Sequence, residues 1–178
     1  MLPTIPEARI IQAATAGTSA FFDLISEATL EAVGGSLDAA TMSQLSGEQV
    51  TMLAYRIFRS EMLEGGYIQL IHNGYGPFIF FNPFAKAMRL WGDSLEPDNN
   101  DNTLHVFSRQ VYKARKLFEQ YEETITHDMD DEAFMALYEQ FPDFDPLDDD
   151  YVDNEKDITA AIATYIDNNI HDFVVVDK

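Results

Sequence analysis

Apolar residues recur at helical spacing along most of the chain. Phe21, Leu24, Ile25, Ala28 and Ala32 share one face, with Thr18 or Ser19 placed to cap the helix and Gly34–Gly35 to end it. Residues 1–17 show no such period and read as an irregular arm docked on the body. Leu37 to Leu45 reads as a connection with room for a helical turn. Ser46-Gly47-Glu48-Gln49 fits a capping box and opens a helix whose apolar face is Val50, Leu53, Ala54, Ile57 and Phe58. Gly65–Gly66 stops it, and a shorter helix runs from Tyr67 to about Asn73.

A bend over Gly74 to Phe81 leads to Asn82-Pro83, read as a cap followed by a first-turn proline. Phe84, Ala87, Met88 and Trp91 then share a face. Leu104, Phe107, Val111, Ala114, Phe118 and Tyr121 mark the longest amphipathic helix, with Arg109, Lys113 and Lys116 as a basic stripe on its exposed side. Asp130-Asp131-Glu132 opens another helix, buried through Phe134, Leu137 and Phe141. The prolines at 142 and 146 predict a break, and Ile158 to Ile166 a last helix. Phe173 to Val176 reads as a short strand or docked tail, with no strong strand pattern to pair with it. The expected fold is all-α: a compact single domain of about seven helices over residues 18–178, preceded by the arm.

Charge changes this picture in one place. The net charge is −20, and residues 119–178 hold 19 acids against 2 bases, a balance of −17. Phosphate contacts need Lys and Arg, so direct nucleic-acid binding and anionic membrane surfaces are disfavoured, whereas a basic partner is attracted. The absence of cysteine removes disulfides, thiolate nucleophiles and Cys-based zinc sites. The first residues lack the basic and apolar regions of a signal peptide, and a cytoplasmic protein is expected.

Two groups of residues carry candidate chemistry. One is the acidic segment Asp143, Asp145, Asp148, Asp149, Asp150, Asp153, Glu155 and Asp157. Helical carboxylates three or four apart lie ~5–6 Å from each other and can present a line of charge to a basic protein. The prolines, however, place much of this segment (142–157) on a connection. A calcium loop fits poorly: Leu147 stands where a third oxygen ligand belongs and Asp148 where the sharp turn needs glycine. The other group is the corner Glu61, Gly65, Gly66, Tyr67, Gln69, Asn73 and Gly76. Gln69 and Asn73 share a helical face and suit either a small polar pocket or the satisfaction of backbone groups at a tight turn. The four histidines have no metal-ligand spacing, and neither a phosphate-binding loop nor a nucleophile elbow is present. No cofactor or metal is expected, and no catalytic residue is assigned.

The run Glu61-Met62-Leu63-Glu64-Gly65-Gly66-Tyr67-Ile68-Gln69-Leu70-Ile71-His72-Asn73-Gly74-Tyr75-Gly76 resembles the signature of a bacterial family of acidic DNA-mimic proteins. Phe144-Asp145-Pro146-Leu147-Asp148, Tyr151, Thr164-Tyr165-Ile166 and Phe173 agree with it, so the resemblance covers residues 46–176. Glu64 departs from the family's usual Asn. The resemblance implies an all-helical, often dimeric, non-enzymatic protein that occupies the DNA-binding face of a transcriptional regulator or other nucleic-acid-binding protein. The alternatives are a small-molecule or enzymatic site at the Gly-Gly-Tyr corner, and a scaffold or inhibitor with an unrelated target.

Overall fold

The computed structural model describes residues 1–178 and is all-α, with nine α-helices and one two-stranded pairing. The chain divides into two units, residues 1–56 with 156–178, and residues 57–155.

The first unit opens on β1 (Thr4–Pro6), α1 (Glu7–Ala16), α2 (Thr18–Ala32) and α3 (Ala39–Met42), and takes in the start of α4 (Gly47–His72). The expected irregular arm is thus a strand and a helix. Gly17, at φ 134°, breaks α1 from α2 and stands at the cap position assigned to Thr18 or Ser19. Three residues of strand are too few to show a period. Their partner is β2 (Val175–Asp177), in parallel register Thr4↔Val175, Ile5↔Val176 and Pro6↔Asp177. The tail is therefore a strand, and its partner lies in the arm.

The capping box holds: Ser46 N–H donates to Gln49 Oε1 at 3.1 Å and Gln49 N–H to Ser46 Oγ at 3.2 Å. Gln49 Nε2 donates in addition to the carbonyls of Met1 and Phe173, which ties both chain ends to the start of α4. Phe22, Ile25, Met52, Tyr55, Ile162, Ile166 and Phe173 form this unit's core. The Tyr55 and Thr159 hydroxyls meet at 2.8 Å within it, so the buried polar atoms satisfy each other.

The second unit holds the rest of α4, then α5 (Gly76–Phe80), α6 (Phe84–Leu95), α7 (Thr103–Tyr121), α8 (Asp131–Gln140), a 3-10 turn (Pro142–Phe144) and the start of α9 (Asp145–Asn168). The expected bend at 74–81 contains α5. Asn82 does not cap α6; its amide donates back to the Phe78 carbonyl at 2.8 Å. α7 runs back along α6, with Ser108 Oγ donating to the Ala85 carbonyl and His105 Nε2 bonded to Asp93 at 2.7 Å.

The core of this unit is aromatic. Phe58 lies 5.3 Å from Phe107, 5.7 Å from Tyr67 and 5.0 Å from Tyr151, all three contacts edge to face. Such pairs add about 0.5–1.5 kcal/mol each beyond the area they bury. Tyr151 belongs to α9, so the acidic helix is anchored from beneath by this cluster.

Candidate partner-binding surface

The largest difference from the sequence reading concerns the acidic segment. It is a helix, not a connection: α9 starts at Asp145 and runs through Pro146 without a break. Proline in the first turn gives up no hydrogen bond, because that N–H has no partner in any helix. Asp145 and Asp148 lie in the same first turn, where carboxylates favour the positive end of the helix dipole.

A helix sorts its carboxylates by direction. Phe144 and Tyr151 are buried and hold the inner side. Asp143, Asp145, Asp149 and Asp153 are exposed, and Asp150 is half-buried. Asp145, Asp149 and Asp153 recur every four residues, which sets them in a row rising ~6 Å per step. Asp157 is also exposed, four residues further along α9, and belongs to the other unit.

Asp148 and Glu155 point inward and are not part of that surface. Glu155 is 8 % exposed and its carboxylate meets Arg59 Nε at 2.6 Å. Asp148 Oδ1 accepts the Tyr67 backbone N–H at 2.9 Å. Burial, reinforced by Asp145 and Asp149, outweighs that hydrogen bond and pushes the Asp148 carboxyl up to about 6.

This bond joins the acidic helix to the glycine corner. α4 is interrupted at Gly66, where φ is 76° and ψ −164°. An interruption leaves a carbonyl free on one side and an N–H on the other. The Tyr138 hydroxyl, from α8, donates to the Gly65 carbonyl at 2.8 Å, and Asp148, from α9, takes the Tyr67 N–H. Gly66 must be glycine on two counts: its φ is positive, and a Cβ would stand 2.5 Å from Asp148 Oδ2. At Gly65 a Cβ would strike the Gln69 side chain, and at Gly76 it would stand 2.5 Å from the Phe118 ring.

The polar side chains of the corner are bonded to one another. Gln69 Nε2 donates to Glu64 Oε2 at 3.1 Å, and Asn73 Nδ2 to Glu61 Oε2 at 2.7 Å. The two amides thus serve carboxylates rather than backbone groups, and Glu64, the departure from the expected Asn, is the acceptor for Gln69. Burial raises the Glu61 carboxyl, the Asn73 bond opposes that, and Glu64 adds to it. His72 donates through Nδ1 to the Thr126 carbonyl at 2.9 Å and stacks on Phe134. The corner is a joint that ties α8 and α9 to α4.

Sequence reasoning named only residues 143–157 as the surface. In the same unit Glu122, Glu123, Asp128, Asp131, Glu132 and Glu139 are also exposed. Their signal in the sequence is the acid excess from residue 119 onward, which gives no direction to any one side chain. No group of three or more His, Asp or Glu side chains has an arrangement that could hold a metal ion, and residues 143–148 form a helix entry instead of a loop. No helix is long and apolar enough to cross a membrane.

Comparison with known proteins agrees with the signature. The family model described as DMP19-like protein matches residues 43–169. A curated relative, DNA mimic protein DMP19 of Neisseria meningitidis serogroup B (strain ATCC BAA-335 / MC58), is 33% identical over 139 residues, covering 78% of each chain. With a glycine joint at the position of the signature and a match over most of its length, this chain belongs to the DMP19-like protein family.

Proposed function

We propose that this protein is a DNA mimic whose exposed carboxylates on α8 and the first turns of α9 occupy the phosphate-binding side chains of a DNA-binding protein. The observation that carries this reading is the exposed row Asp145, Asp149, Asp153, fixed in place by Tyr151 and by the Asp148–Tyr67 bond. The name of the curated relative, a DNA mimic protein, supports it. The action is binding, not catalysis, and its place is the cytoplasm, where such targets work.

Magnitudes set a requirement on this surface. One strand of duplex DNA carries a charge every ~3.4 Å of axis. The α9 row carries one every ~6 Å, about half that density. Further acids must therefore contribute, and Asp131, Glu132 and Glu139 of α8 are exposed in the same unit. A homodimer, which the resemblance implies, supplies a second copy of the row.

The test is capture from a bacterial lysate on the immobilised full chain at stepped salt, followed by elution with excess duplex DNA. Retention of a DNA-binding protein that duplex DNA releases, and that an Asp145→Asn/Asp149→Asn/Asp153→Asn variant fails to retain, supports the reading. Retention that is indifferent to duplex DNA and to the variant refutes it.

A further inference from the structure

The strongest contrast to the acidic surface lies on α6 and α7. These two helices hold six of the chain's 11 Lys and Arg (Lys86, Arg89, Arg109, Lys113, Arg115 and Lys116) against two acids, Asp93 and Glu119. The remainder of the chain has 29 acids and five bases. A basic island in so acidic a protein is not explained by solubility, which more acid would serve equally well.

The island borders a groove of about 250 Å³ between the turn after α5 and the flank of α7. Phe81, Pro83, Val111 and Tyr112 contribute apolar and aromatic surface to its lining, and Lys86 and Arg115 contribute its cations. Phe81 is 52 % exposed and Tyr112 is 42 % exposed, large aromatic surfaces to leave in water. The arrangement is built rather than loose. Phe81 packs on Phe118 at 5.4 Å, and the Arg115 guanidinium lies over the Phe81 ring at 5.7 Å. Arg115 Nε also donates to Glu119, one turn further along α7, at 2.8 Å. Lys86 has no carboxylate partner in the structure.

We propose that this groove binds a small organic anion bearing one aromatic ring, such as an aryl carboxylate. The ring takes the place of water between Phe81 and Tyr112, and the anionic group meets Lys86 and the free edge of Arg115. Charge decides the sign of the ligand and volume its size: the groove sits just below the ~300–1,000 Å³ typical of small-molecule pockets. Long-range charge decides against a large acidic partner. An acidic macromolecule approaching this groove also meets the field of a chain whose net charge is −20. A small monoanion in the groove meets Lys86 and Arg115 with Glu119 as the one carboxylate bonded to either, and more distant acids are screened over ~8 Å at physiological salt.

Two-dimensional NMR of the full chain tests this, with phenylacetate, benzyl alcohol and inorganic phosphate titrated separately. Expected are saturable shifts from phenylacetate, confined to Phe81, Lys86, Val111, Tyr112 and Arg115. A charge-assisted hydrogen bond contributes about 1.5–3 kcal/mol, so benzyl alcohol should bind at least about tenfold more weakly. Lys86→Glu and Arg115→Gln should each weaken phenylacetate to a similar extent while the remaining spectrum stays unchanged. Equal shifts from benzyl alcohol would remove the anion from the proposal, equal shifts from phosphate would remove the ring, and no saturation by phenylacetate at tens of millimolar would overturn it altogether.

Discussion

The Asp148 carboxylate, in the first turn of α9, accepts the backbone N–H of Tyr67 at 2.9 Å and so caps the part of α4 that resumes after Gly66. The acidic helix and the family's glycine motif are one structural device. Removing the acceptor should cost what losing a helix cap costs, about 1–2 kcal/mol. Asp148→Ala should therefore lower the urea midpoint clearly. Asp148→Asn keeps an oxygen acceptor and avoids a partly buried charge, so near neutral pH it should be at least as stable as the parent.

The same residue predicts a pH dependence. Its carboxyl is raised from 3.8 to about 6 in the folded chain, chiefly by desolvation. A raised folded value means the native state holds the proton more tightly than the unfolded state. The contribution of Asp148 is therefore fully present below about 3.8 and is lost as pH rises through about 6. Many carboxylates titrate in this range, so the readout is a difference. The stability of Asp148→Asn minus that of the parent should grow between pH 4 and pH 7 in denaturant titrations, and a flat difference would contradict the assignment.

Gly66→Ala places a Cβ 2.5 Å from the Asp148 carboxylate at a φ of 76°. Backbone strain of this kind costs about 1–3 kcal/mol, and displacement of the carboxylate adds the lost cap. The two costs share a cause, so they should not add. In an Asp148→Ala background Gly66→Ala should cost distinctly less than alone, as double-mutant analysis of thermal or urea unfolding would show. Full additivity would mean that the glycine and the carboxylate act independently.

Neutralising the row by Asp145→Asn, Asp149→Asn and Asp153→Asn should leave the fold almost unchanged. Asp145 contributes about 0.3–1 kcal/mol at the helix N-terminus, which the variant loses. Relief of repulsion between carboxylates four apart returns about 0.2–0.5 kcal/mol per pair. The expected net change is under about 1 kcal/mol, readable in a melting curve, so a binding defect in this variant is not an unfolding defect.

What was legible in the sequence follows from what repeats. The α7 face and the Ser46–Gln49 capping box read correctly because each rests on local spacing. The strand pairing of Thr4–Pro6 with Val175–Asp177 joins the two ends of the chain, and segments of three residues carry no period. α1 has no buried residue, so no apolar face announced it. The start of α9 is hidden in the sequence because Pro142 and Pro146, four residues apart, together look like a break, whereas one lies in a 3-10 turn and the other in a first helical turn. Read as a connection, residues 142–157 give their carboxylates no directions. The spacing of Phe144, Tyr151 and Ile158, seven residues apart, marks the inner face, and Asp148 and Glu155 each stand four residues beyond one of its buried rings.

The central claim is that the exposed α9 row stands in for DNA phosphates. The most direct measurement is displacement of a fluorescently labelled duplex from a DNA-binding protein captured on this chain, followed by anisotropy at physiological salt. The parent should release the duplex in a saturable manner. Asp148→Asn should do so equally well, and the triple Asn variant of residues 145, 149 and 153 should need at least about tenfold more protein, as the loss of even one charge-assisted contact implies. Equal displacement by the triple variant, or simultaneous binding of duplex and protein, would contradict the account.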